Sequence, residues 1–235
     1  MKSYARFSLL GHYGPAVRSV ILADLILAGF SYLILALDSF FASIIPTLLL
    51  FTLCLIASGT VSAGYCRIFH RIAHKEEASA RDLFFALMSA PGKIAALITV
   101  LTAVFLVWYI PFVLVITYLL PGWIREVRQG KTFSLVLLVL FIVLSLAILC
   151  LVISCELLYS QSIFLFMEHP DMDVQSLLEN SRLLMTGHRL ELLRLLLSFA
   201  GYILLSVLSL GLGFLWTVPY LMTTLACYYD QRKSW

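Results

Sequence analysis

Two acidic side chains stand inside apolar runs, and they are the first residues whose type and position could do chemistry. Asp24 lies a few residues into the first run, and Glu156 near the end of the fourth, just before Tyr159, Ser160 and Gln161. An acid at mid-helix costs roughly 2.5–3.5 kcal/mol on membrane-insertion scales. It persists where it binds a proton or cation, or where water or an arginine reaches it at a boundary. Asp24 and Glu156 are therefore the candidates for a transport or proton site. His70 and His74 stand four apart with Glu77 one turn further, a helical spacing that can present three ligands to one zinc ion. The sequence His70-Arg71-Ile72-Ala73-His74 lacks the glutamate that a zincin protease carries after its first histidine. Arg67, Arg71 and Lys75 oppose a cation, and a basic helix facing anionic lipid accounts for the same residues. No metal and no cofactor are expected.

Ser58, Gly59, Thr60, Ser62, Ala63 and Gly64 form a dense run of small residues. No Lys-Ser/Thr follows, so a phosphate loop is a weak reading. Small residues at this spacing let helix backbones approach closely, which makes Gly59, Ala63 and Gly64 the expected packing core of the bundle or a dimer face. A membrane-embedded enzyme acting on lipid would need convergent polar groups at the interface, for which His12, His188, Glu168 and Asp171 are the candidates. Helix caps and loop solvation explain them better. Ser-His-Asp groupings, nucleophile elbows and dinucleotide fingerprints are absent from the sequence, and no catalytic residue is expected.

The elements that position these residues follow from composition. Of 235 residues, 62% are hydrophobic and 12% charged, about half the charged share of an ordinary soluble domain. A water-soluble fold of this size could not cover so much apolar side chain. The formal charge of +3 is spread over the ends of apolar runs, which excludes a nucleic-acid surface. The five cysteines, Cys54, Cys66, Cys150, Cys155 and Cys227, make no CxxC pair and suggest neither disulfides nor a zinc ribbon. Residues 1–18 carry basic residues, but the apolar run after them leads into a second span without a small-residue cleavage site, so no removable signal peptide is expected.

Apolar runs predict about six spans of helix: Ser19 to Leu37, Phe41 to Cys66, Ile94 to Leu120, Phe133 to Tyr159, Leu190 to Leu210 and Leu212 to Tyr229. Between the last two, only Gly211 and Gly213 mark a turn, and a kink there would leave five. With the N-terminus inside, all of the 16 Lys and Arg except Arg125, Arg128 and Lys131 fall on the inner side. This predicts a multi-pass protein of a bacterial cytoplasmic (inner) membrane with both termini cytoplasmic. Tyr118, Trp216, Tyr220 and Trp235 fall near span ends, as interfacial aromatic anchors do.

A repeat runs through this pattern. Arg6 is followed by Gly11-His12 before the first span, and Arg182 by Gly187-His188 before the fifth, at identical spacing. Both segments read as short amphipathic helices stopped by glycine. In the later one Asp173 can cap the first turn, and Val174, Leu177, Leu178, Ser181, Leu184 and Met185 share a face. Ser79 to Met88 reads as a third copy, with Ser79 and Asp82 as a capping box, Leu83, Phe84, Leu87 and Met88 as its apolar face, and Gly92-Lys93 before the third span. The fold class is therefore all-α: a polytopic membrane helical bundle of about six transmembrane helices in three hairpins, each preceded by an amphipathic interfacial helix. It forms one integral membrane domain, 1–235, with repeat units 1–66, 78–166 and 173–229.

From Tyr159 onward, Tyr159-Ser160, His169-Pro170-Asp171, Ser181-Arg182, Leu184-Met185, Gly187-His188, Leu197-Ser198-Phe199, Leu210-Gly211-Leu212-Gly213, Leu215-Trp216, Pro219-Tyr220 and Tyr228-Tyr229 carry a resemblance. The chain resembles the domain-of-unknown-function family nine-seven-five, integral membrane proteins found mainly in Gram-positive bacteria. Ala5-Arg6, Leu10-Gly11 and Ala63-Gly64-Tyr65 fit it more loosely. The resemblance implies a multi-span fold and no activity. The function expected is that of a non-enzymatic accessory or assembly protein engaging membrane lipid, a membrane-protein partner or a second copy of itself, with no nucleic-acid partner. The alternative is a small-solute or ion transporter or channel using Asp24 and Glu156.

Overall fold

The computed structural model describes residues 2–41, 44–114, 117, 120–128 and 134–233, nearly all of them in helices and turns, with no strand among them. Tyr118, Lys131, Phe133 and Trp235 lie outside the described residues. The helices are α1 (Lys2–Leu9), α2 (Tyr13–Phe41), α3 (Ile44–Ala73), α4 (Phe85–Ser89), α5 (Pro91–Leu114), α6 (Leu120–Arg128), α7 (Ser134–Tyr159), α8 (Ser162–Glu168), α9 (Val174–Met185), α10 (Arg189–Leu197), α11 (Ala200–Leu208) and α12 (Phe214–Lys233), with a 3-10 turn, Ala80–Phe84, before α4.

Among the described residues, five segments are long and apolar enough to cross a membrane: Tyr13–Leu33, Thr52–Ala73, Pro91–Pro111, Leu138–Glu168 and Arg189–Leu208. That is one fewer than the apolar runs suggest, because α12 dilutes its leucines and aromatics with three threonines and a charged last turn. The fourth segment runs past Tyr159 through α8. Its helix is interrupted at Ser160–Gln161, where Ser160 and Ser162 donate to the Leu157 and Tyr159 carbonyls and compete with the backbone ladder. The segment that carries Arg125 and Arg128 is helical over Leu120–Arg128, with Pro121 in its first turn and the two arginines in its last, both favourable placements.

Between α11 and α12 the chain reverses. Leu210 (φ 54°) and Gly211 (φ 91°) are left-handed, Gly211 N–H donates to Ser206 O, and the Ser206 and Thr217 hydroxyls meet at 2.7 Å across the turn. Gly213 packs so tightly that a Cβ there would stand 2.7 Å from Ser206 Cα.

The core gathers at one end of the bundle. Its buried residues come from the start of α2 (Ala16, Val20, Ala23), the end of α3 (Tyr65, Ile68, Phe69, Ile72), the start of α5 (Ile94, Leu97), the end of α7 with α8 (Leu157, Phe164, Phe166) and the end of α12 (Ala226, Tyr228, Tyr229). α3 is its axis: 53% of its most apolar window is buried, against 6% for Leu138–Glu168. Small residues make this possible. A Cβ on Gly59 would fall 2.1 Å from Ile98 Cγ1, and one on Gly64 2.0 Å from the Leu83 carbonyl oxygen; Ala63 between them is fully buried. These three serve contacts within the chain.

Two short helices seal the same end. In α1, Ala5 and Leu9 are buried, and in α9 Leu177, Ser181 and Met185. Each delivers a buried serine to a carbonyl that a helix end leaves unpaired: Ser8 to Ala73 O of α3 (3.2 Å), and Ser181 to Leu158 O of α7 (2.9 Å). Asp173 caps α9 at Gln175 N. Gly11 (φ 91°) and Gly187 (φ 83°) stop α1 and α9 in the left-handed region. The third segment differs. Ser79 and Asp82 form a capping box, but on a 3-10 turn, which buries Leu83, while α4 after it buries Ala86. Phe84, Leu87 and Met88, expected on the apolar face, are exposed, and Pro91 instead of Gly92 opens the following helix.

Candidate functional site

The two acids of the candidate spans line neighbouring cavities. Asp24 of α2 borders a cavity of about 370 Å³ with Ser62, Tyr65 and Cys66 of α3 and Met222 of α12. Glu156 of α7 borders a smaller one, about 120 Å³, with Leu101 and Val104 of α5. Ser160 and Ile163, at the break between α7 and α8, line both. Asp24 and Glu156 are both exposed and form no hydrogen bond or ion pair among the described residues.

The interfacial landmarks come in matched pairs. Arg6 and Arg182 are exposed. The backbone N–H groups of His12 and His188 close the same turn onto Leu9 O and Met185 O, and the Nδ1 of each histidine is buried without a hydrogen bond. His188 O also accepts from the Tyr228 hydroxyl at 3.2 Å, which ties the start of α10 to α12. Lysines play a parallel part. Lys2 donates to Ser198 O at the break between α10 and α11, its ammonium 4.2 Å above the Phe199 ring. Lys93 donates to Pro170 O and Asp171 O after α8.

A polar layer crosses the bundle where α3, α8 and α12 end. Asp82 receives Arg67 Nε (3.3 Å) and Arg71 Nη1 (2.9 Å), and also Ser79 N at 2.9 Å. Its side chain is only 11% exposed, so two cations and an N–H satisfy a nearly buried carboxylate. Arg67 lies flat on Phe85, 3.7 Å from the ring centre. One turn further along α3, His70 Nε2 stands 2.8 Å from Asp230 Oδ1 and His74 Nε2 3.2 Å from Asp230 Oδ2. Glu168 adjoins them, accepting from the Tyr229 hydroxyl and from Lys233 Nζ, each at 2.7 Å. The carboxylate that joins the histidine pair is thus Asp230; Glu77 is exposed beyond the end of α3. The i,i+4 spacing of the histidines is visible in the sequence, but their partner lies 160 residues away. The closing Tyr228-Tyr229-Asp230 run is the signal that could have named it.

A family model described as "Protein of unknown function (DUF975)" matches residues 1–234, so the resemblance carried by the last third extends over nearly the whole chain. No curated protein and no solved structure matches the chain.

Proposed function

The chain belongs to the DUF975 family of proteins of unknown function, and from that premise we propose that it is a non-enzymatic accessory or assembly protein of a bacterial cytoplasmic membrane. It engages lipid or a membrane-protein partner, a second copy of itself included, through its spanning helices. The observation that carries this reading is the contrast between a packed end and bare spans. Outside α3, between 6% and 22% of each span window is buried, and on α7 the run Ile142, Val143, Leu144 and Leu146 is exposed on successive sides of the helix. A helix exposed over this much of its surface is solvated by lipid or by another protein wherever its own neighbours leave it uncovered. The short helices α1, α9 and the 3-10 turn with α4 fit three repeated units lying on the cytoplasmic face, and the basic residues gathered there fit termini on that side.

The test uses Cys150, exposed on α7. A photoactivatable maleimide at this thiol, illuminated in native membranes, is expected to give a discrete protein adduct. Adducts with lipid alone, from this position and from further single cysteines along α7, would remove the partner.

A second reading, a small-solute or ion transporter, rests on Asp24 and Glu156 lining cavities that share Ser160 and Ile163. It requires flux into proteoliposomes that falls in Asp24→Asn and Glu156→Gln. Equal flux in all three proteins would end it.

A further inference from the structure

We propose that His70, His74 and Asp230 form a binding site for one zinc ion or a chemically similar first-row divalent cation. The three ligand atoms lie within 4.8 Å of one another. Ligands on a tetrahedral zinc, each about 2.0–2.1 Å from the metal, stand roughly 3.3 Å apart. His70 stands 2.8 Å from Asp230 Oδ1 and His74 3.2 Å from Oδ2, so each histidine is already near this spacing from one oxygen of the shared carboxylate before any cation is added. Two imidazole nitrogens with one carboxylate favour zinc over magnesium or calcium, which prefer all-oxygen shells.

The surroundings are arranged for it. The end of α3 and the turn that follows it hold both rings together, their centres 4.7 Å apart, and His70 is only 17% exposed. A cavity of about 370 Å³ bounded by Tyr4, Ala73, His74, Cys227 and Asp230 reaches the ligands from outside and leaves room for water as a fourth ligand. The basic neighbours that oppose a cation in the sequence are engaged elsewhere. Arg67 and Arg71 are held by Asp82, and Arg71 also meets Glu76. Lys75 sits over the Phe7 ring, Arg232 pairs with Glu191, and Lys233 with Glu168. Glu168 Oε1 is itself 3.8 Å from His70 Nε2 and adds negative charge beside the site.

The bound cation clamps the end of α3 to the end of α12, whether the protein is a scaffold or a transporter. The full chain, purified in detergent through a tag without histidine and stripped with a chelator, is titrated with zinc and separately with cobalt. One equivalent per chain is expected, with the visible absorption of four-coordinate cobalt and a higher thermal midpoint in zinc. His74→Ala, at a half-exposed position, and Asp230→Asn should weaken binding about ten-fold or more, while Glu77→Gln leaves it unchanged. Monodisperse wild-type protein that takes up neither metal overturns the proposal without recourse to any variant. So does equal binding by all the folded variants.

Discussion

Single atoms decide how closely α3 is approached. Gly64 faces backbone, the Leu83 carbonyl, which cannot rotate away. Gly64→Ala is therefore expected to cost roughly 1–3 kcal/mol, as overpacking does, read as a lower thermal midpoint in detergent. Gly29→Ala, with nothing within 4 Å of the added carbon, should leave the midpoint unchanged or slightly raised. Asp82→Ala strands Arg67 and Arg71 and removes the cap on Ser79 N. Its loss of about 2 kcal/mol should survive high salt better than that of an exposed pair such as Arg71–Glu76. The glycines were legible as packing residues because size and spacing are local properties. Asp82 was legible only as a cap. Its second role depends on arginines 11 and 15 residues upstream, which the turn after α3 folds back over it. Asp230 was legible only as the acid after the Tyr228-Tyr229 pair, since nothing in a charged helix end says which distant helix it will meet.

At the scale of elements, the apolar runs translated almost directly into helices, because a long stretch of hydrocarbon side chains in lipid permits little else. Breaks and ends were harder to read. The interruptions at Ser160–Gln161 and Ser198–Phe199 come from serine hydroxyls bonding back to carbonyls, and serine in a span does this without always breaking it. The turn after α11 was visible through Gly211, yet its first left-handed residue is Leu210, 95% exposed. Leu210→Gly should therefore stabilise the protein by about 1 kcal/mol, since a non-glycine residue pays roughly that in this region, with a higher thermal midpoint as the readout. Gly187→Ala and Gly11→Ala should each lower it by a similar amount. The reversal itself can be captured chemically: Ser206→Cys with Thr217→Cys, in a background lacking the native cysteines, should form a disulfide on mild oxidation. A single continuous helix through 206–217 would hold the two thiols too far apart.

For the whole molecule, the proposed placement of the packed end on the cytoplasmic face sets a sidedness that labelling can test. Cysteines introduced at Glu77 and Gln175 should react with a membrane-impermeant maleimide only after the cells are opened, and one at Arg125 in intact cells. The reverse pattern would turn the protein over and take the cytoplasmic placement of the interfacial helices with it. Composition alone made helices long and apolar enough to cross a membrane legible. It could not reveal that the core sits at one end, because that depends on which half of each helix finds neighbours.

The packing of α1 against α12, with the Tyr220 hydroxyl 3.5 Å from Lys2 O, carries a consequence in time. A ribosome releases α1 long before α12 exists, so α1, Ser8 and the two histidines must wait while the helices between them are made. The polar layer can close only once α12 has emerged. A nascent chain stalled before α12 would hold its earlier helices and yet present that open seam to whatever chaperone or protease stands beside it.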